Sequence, residues 1–117
     1  MSGVEDVVNK FSKLDNTLKH VYSKVDPFLV VSLIFDRKAN EKYIYTLEVI
    51  LKPGQDTNVM RQDVINKTGM APSLYLKGTK MIVNHTLDLD FLKWINDQDG
   101  IESIKGSKFS AGGSSDF

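Results

Sequence analysis

Apolar residues at Val4, Val7, Phe11, Leu14, Leu18, Val21 and Val25 alternate spacings of three and four, which predicts an amphipathic helix over residues 3–25. Val8 and Tyr22 widen the stripe on one flank. That breadth suits a helix lying on its own sheet. A strict seam would instead suit a coil with a second copy, and Lys10 with Asp15 is the clear opposite-charge pair at the flanking positions. Asp26-Pro27 is expected to end the helix, because a residue before proline is pushed out of the α region.

Residues 28–35 are almost wholly apolar, broken only by Ser32, and read as a strand covered on both faces. Residues 43–51 alternate, with Tyr43, Tyr45, Leu47, Val49 and Leu51 on one face and Ile44, Thr46, Glu48, Ile50 and Lys52 on the other. The two runs are expected to form a hairpin. Pro53-Gly54 is a turn, Asp56 or Thr57 caps a short helix with Met60 and Val64 inward, and Gly69 suits its left-handed end. Residues 74–77 and 80–87 flank Gly78-Thr79, which predicts a type II′ hairpin with Leu76 opposite Met81, Tyr75 opposite Ile82 and Lys77 opposite Lys80. Asp88 caps a helix burying Phe91, Leu92, Trp94 and Ile95, and residues 101–105 form a last strand. From Gly106 the chain turns to Gly, Ser, Ala and Lys, so 1–106 reads as one domain and 107–117 as a flexible tail.

The whole is an α+β chain: an N-terminal amphipathic helix, then β-β-α-β-β-α-β with a mixed or antiparallel sheet and helices on one face. The strand–helix–strand–strand–helix–strand order of residues 43–105 resembles the ferredoxin-like sandwich, a fold shared by regulatory domains, RNA-recognition motifs and enzymes. That resemblance implies a layered sheet and selects no function. It also leaves no free neighbour for strand 28–35 beside 43–51, unless the strand order changes or one pairing is made across a dimer.

Composition narrows the functional classes. Lys+Arg and Asp+Glu are 15 each, so no global field draws the 117-residue chain to nucleic acid or an anionic membrane. Cysteine is absent, which removes disulfides, thiolate metal sites and cysteine nucleophiles. No run approaches membrane-spanning length and no basic, apolar leader pattern opens the chain, so a cytoplasmic protein is expected. Phosphate loops, dinucleotide fingerprints, nucleophile elbows and paired-histidine zinc motifs do not occur. An EF-hand alignment on Gly100 puts Ile95 at the first ligand and Gly106 at the bidentate acid, and fails. His85 alternates with Met81, Val83 and Leu87 and reads as a structural histidine, and His20 as a solvated one. The terminal Ser114-Ser115-Asp116-Phe117 reads as a plain chain end.

Two surfaces remain as candidates. The outward residues Tyr75, Lys77, Lys80, Ile82, Asn84 and Thr86 form an aromatic, aliphatic and basic platform. Such platforms stack bases in single-strand binders, or else are covered by a helix or a second subunit. The stripe Val4, Val7, Val8, Phe11, Leu14, Leu18 and Val21 is the candidate oligomer interface. The expected function is a non-enzymatic binding or regulatory module acting as a homo-oligomer, with a protein or small-molecule partner and no cofactor or metal. The alternative is a single-stranded nucleic-acid-binding domain.

Overall fold

The computed structural model describes residues 3–108, the side chain of Lys77 excepted. These residues form four α-helices and a four-stranded antiparallel sheet, in the order α1 (Gly3–Val21), α2 (Pro27–Lys38), β1 (Ile44–Leu51), α3 (Thr57–Thr68), β2 (Ser73–Tyr75), β3 (Lys80–Thr86), α4 (Leu89–Asn96) and β4 (Ile101–Lys108). The sheet order is β2-β3-β1-β4, so α3 and α4 each lie on a crossover between strands that are not neighbours.

The largest departure from expectation is α2. Residues 28–35 are helical, and the hairpin expected between them and 43–51 does not exist. Asp26-Pro27 starts this helix and does not end the one before, which stops at Val21. The Asp26 carboxylate accepts the Phe28 amide at 3.0 Å, and Pro27 sits in the first turn, where its missing N–H costs nothing. Arg37 and Lys38 occupy the last turn, favourable to the helix dipole. The apolar run is two-sided for a helical reason. Leu29, Val30 and Leu33 enter the core, while Phe28 and Phe35 stay 76% and 66% exposed. Because α2 is no strand, β1 keeps both its neighbours, β3 and β4, and the strand-order conflict disappears.

β1 alternates as its sequence dictates. Tyr45, Leu47, Val49 and Leu51 are buried, opposite or beside Met81 and Val83 of β3 and Ile101 and Ile104 of β4. Leu29, Val30 and Leu33 of α2, Met60 and Val64 of α3, and Phe91, Leu92 and Ile95 of α4 complete one apolar cluster on that face. Asp56 caps α3 by accepting the Asn58 and Val59 amides, and Gly69 ends it with φ 77°. Asp88 caps α4 by accepting the Phe91 amide at 2.8 Å.

Three boundaries move. α1 stops at Val21 instead of residue 25, and the chain then reaches β4, where the Asp26 amide donates to the Ile104 carbonyl and the Ile104 amide to the Lys24 carbonyl. The β2–β3 connection is not a two-residue type II′ turn. Leu76–Gly78 is a 3-10 turn closed by Thr79, whose amide and hydroxyl both donate to the Leu76 carbonyl, so Tyr75 pairs with Lys80 and Leu74 with Met81. Lys77 lies in that turn, and the expected Lys77–Lys80 opposition does not arise. β4 runs to Lys108, two residues beyond the expected domain end at 106, with Ser107 opposite Thr46 and Lys108 opposite Tyr45. The rest of the expected tail, 109–117, lies outside the described residues.

Candidate functional site

The core-averted face of the sheet brings together the residues singled out above. Tyr75, Lys80, Ile82, Asn84 and Thr86 share it with Ile44, Thr46, Glu48 and Ile50 of β1 and with Ser103, Lys105 and Ser107 of β4. The two-residue shift of the hairpin preserves this, since an even shift leaves every side chain on its own face. Lys77 leaves the ladder for the turn. Tyr75 is 52% exposed, Asn84 and Thr86 are exposed, and Lys80 and Ile82 are half-buried.

The electrostatics of this face centre on an acid outside the candidate platform. Glu48 receives Lys80 at 3.1 Å on one oxygen and faces Lys105 at 3.6 Å on the other. The alternation of β1 places Glu48 on this face; the register that sets it between Lys80 and Lys105 is not legible in the pattern. Thr46 donates to the Asn84 side-chain oxygen at 2.6 Å. At the far end of the face, Ile44, Met70, Asn84, His85 and Thr86 line a depression of about 320 Å³. His85 itself is half-buried, its Nδ1 2.7 Å from the Thr86 carbonyl and its ring 5.8 Å from that of Phe91. A carbonyl oxygen only accepts, so the Thr86 contact requires a proton on Nδ1.

A cleft of about 530 Å³ opens where α2 ends and α4 begins, with Leu33 and Leu87 among its lining and Asp36, Arg37, Lys42 and Asp88 around it. Two of its carboxylates, Asp36 and Asp88, hold the fold. Asp36 is buried, accepting from the Tyr45 hydroxyl at 2.6 Å on one oxygen and pairing with Lys108 at 2.9 Å on the other. Ser32 completes the chain at 2.7 Å from the Tyr45 hydroxyl. Burial pushes the Tyr45 phenol up to about 12, and its hydrogen bond to Asp36 adds to the rise. Asp88 caps α4 with one oxygen and lies 3.8 Å from Lys42 with the other.

The acidic end of α4, unfavourable to its dipole, is offset by the helix's own residues. Asp97 accepts from Lys93 at 2.8 Å and from Asn96 at 3.1 Å, and chiefly the Lys93 contact holds its carboxyl below the usual carboxylate range. Among the described residues no group of three or more histidines and acids is placed to hold a metal ion.

The first helix supplies the second surface. Its C-terminal end is fixed to α4. Lys93 and Asn96 both donate to the Val21 carbonyl, at 3.0 and 3.3 Å, and the Asn96 side-chain oxygen accepts the Lys24 amide at 2.9 Å. The Tyr22 hydroxyl donates to the Leu89 carbonyl, and the Lys24 ammonium to the Gln98 carbonyl. Sequence offered one hint of this staple, a polar Asn96 directly after the buried arc of α4. Leu18, counted with the stripe, is buried in the domain at 7% exposure. Beyond it the helix leaves the domain. Val4, Val7, Val8 and Phe11 are 72, 67, 57 and 53% exposed, and Leu14 is 40%. The sheet therefore does not cover the stripe, and the molecule is drawn out to 54 × 33 × 22 Å. No helix among the described residues is long and apolar enough to cross a membrane. No family model matches the chain, and neither a curated protein nor a solved structure does so.

Proposed function

We propose that this chain is a non-enzymatic binding or regulatory module that works as a homo-oligomer, with α1 as the assembly arm and the open sheet face as the ligand side. One observation carries the reading. A helix whose C-terminal end is anchored by side chains of α4 extends a stripe of Val4, Val7, Val8, Phe11 and Leu14 into water. Contiguous exposed apolar surface of this kind marks an interaction site. The fold reading deepens with it. The order β2-β3-β1-β4, with a helix on each crossover, supports a ferredoxin-like reading, in which the sheet face averted from the helices is available to a partner. Light scattering tests the proposal: a mass above the monomer at high micromolar concentration is expected, and a monomer throughout would overturn it.

A second reading, single-stranded nucleic acid on the sheet face, is favoured by the exposed Tyr75 ring beside Lys80. It is disfavoured by Glu48, which engages both Lys80 and Lys105 and offsets one of the two positive charges such a ligand needs. An oligonucleotide mobility shift that weakens steeply with salt, and is lost on Tyr75→Ala, would promote this reading over the first.

A further inference from the structure

We infer that the occupant of the α1 stripe is α1 of a second copy, packed parallel and in register over residues 4–14; this rests on the self-association proposed above. Within α1 the stripe reads as heptad positions, Val4 and Phe11 at a, Val7 and Leu14 at d. Lys10 then falls at g and Asp15 at e. In a parallel pair, each g residue meets the e residue five positions on in the other helix, so Lys10 reaches the partner's Asp15, and the partner's Lys10 reaches Asp15. Within one chain these two groups pair along the same helix, the exposed Lys10 with Asp6 at 3.3 Å and the half-buried Asp15 with Lys19 at 2.9 Å. Pairs of that kind hold little energy and leave both groups able to turn to a partner.

The antiparallel alternative loses this complementarity. Matching the same four apolar residues requires Val4 against the partner's Leu14 and Val7 against the partner's Phe11. The g flank then sets Lys10 beside the partner's Lys10, a like-charge contact, and Asp15 meets no lysine. Folding α1 back on its own α2 does not cover the stripe either. α1 has 19 residues and α2 has 12, so the first turns of α1, with Val4 and Val7, would extend past the end of α2. The arms must diverge after Leu14, since Leu18 belongs to each domain's own core. Parallel arms put both domains at one end, and a ligand with two matching sites would meet two sheet faces at raised effective concentration.

The absence of cysteine in the chain makes the test direct. Val4→Cys and Leu14→Cys are made separately, both at exposed positions, and equilibrated in a glutathione redox buffer. A disulfide needs Cα atoms within ~7 Å. Parallel in-register packing predicts that each variant alone forms a self-linked dimer. Antiparallel packing separates the two copies of either residue by about 15 Å along the axis, ten residues of helical rise, and links only the mixture of both variants. Linkage only in the mixture overturns the parallel arrangement and leaves association standing. A monomeric wild type in light scattering, with no linkage in any sample, overturns the association as well. As a second readout, Lys10→Asp is expected to weaken the dimer and Asp15→Lys to restore it in the double variant; no restoration contradicts the parallel arrangement.

Discussion

Tyr45 stands where three elements meet: it lies on β1, donates to Asp36 of α2, and faces Lys108 of β4. The hydroxyl is buried and its acceptor carries charge, so Tyr45→Phe is expected to cost about 1.5–3 kcal/mol, measured as a lower urea midpoint. The same contact sets a pH dependence. The folded pKa of about 12 exceeds the ordinary 10.0, so the contribution of the neutral phenol is complete below pH 10 and is lost as pH rises through about 12. Burial raises Tyr22 as well, so ultraviolet titration should show more than one of the four tyrosines ionising above the ordinary value, and Tyr45→Phe should remove the step near pH 12. Asn96→Ala is expected to loosen α1 at its root, because it leaves the Lys24 amide without its acceptor; the cost is about 1–3 kcal/mol by the same measurement. Tyr45 was legible as an inward residue of β1. Its acceptor is not legible, because only a helix through 28–38 turns Asp36 inward toward β1.

The elements built on alternation or caps were legible, and the one built on a continuous apolar run was not. β1, α3 and α4 follow from the period-two pattern, from Asp56 with Gly69, and from Asp88. In 28–35 every face is apolar, so periodicity carries no signal, and a short two-sided helix looks the same as a buried strand. The deciding information was Asp26-Pro27, which caps α2. Two substitutions separate the cases. Leu33→Ala, at 2% exposure, is expected to cost 2–5 kcal/mol as other truncations of buried leucines do, roughly, while Phe35→Ala at 66% exposure stays within about 0.5 kcal/mol. Two buried faces, as in a strand, would make both costly. Gly106→Ala tests where β4 truly ends. A Cβ there would stand 2.7 Å from the Thr46 carbonyl oxygen, so the β1–β4 pairing must shift and the thermal midpoint should fall; an unchanged midpoint would mean that the pairing stops before Gly106.

At the scale of the molecule, the domain and its arm are separable. The core is complete without the first turns of α1, and the apolar stripe there has no counterpart in the chain's own sheet. The sequence pattern revealed the stripe but could not say what lies against it, since the same spacing serves a core helix and an intermolecular one. The positions of Leu18 and Phe11 divide the two roles, the first buried in the core and the second 53% exposed. A charge at Phe11 therefore tests the arm without entering the core. Sedimentation equilibrium of wild type and Phe11→Asp over the same concentration range is the most direct measurement. The account predicts an oligomer for the wild type and a folded monomer, with an unchanged cooperative melt, for the variant. A wild type that sediments as a monomer at every concentration, or a variant that stays associated, would contradict it.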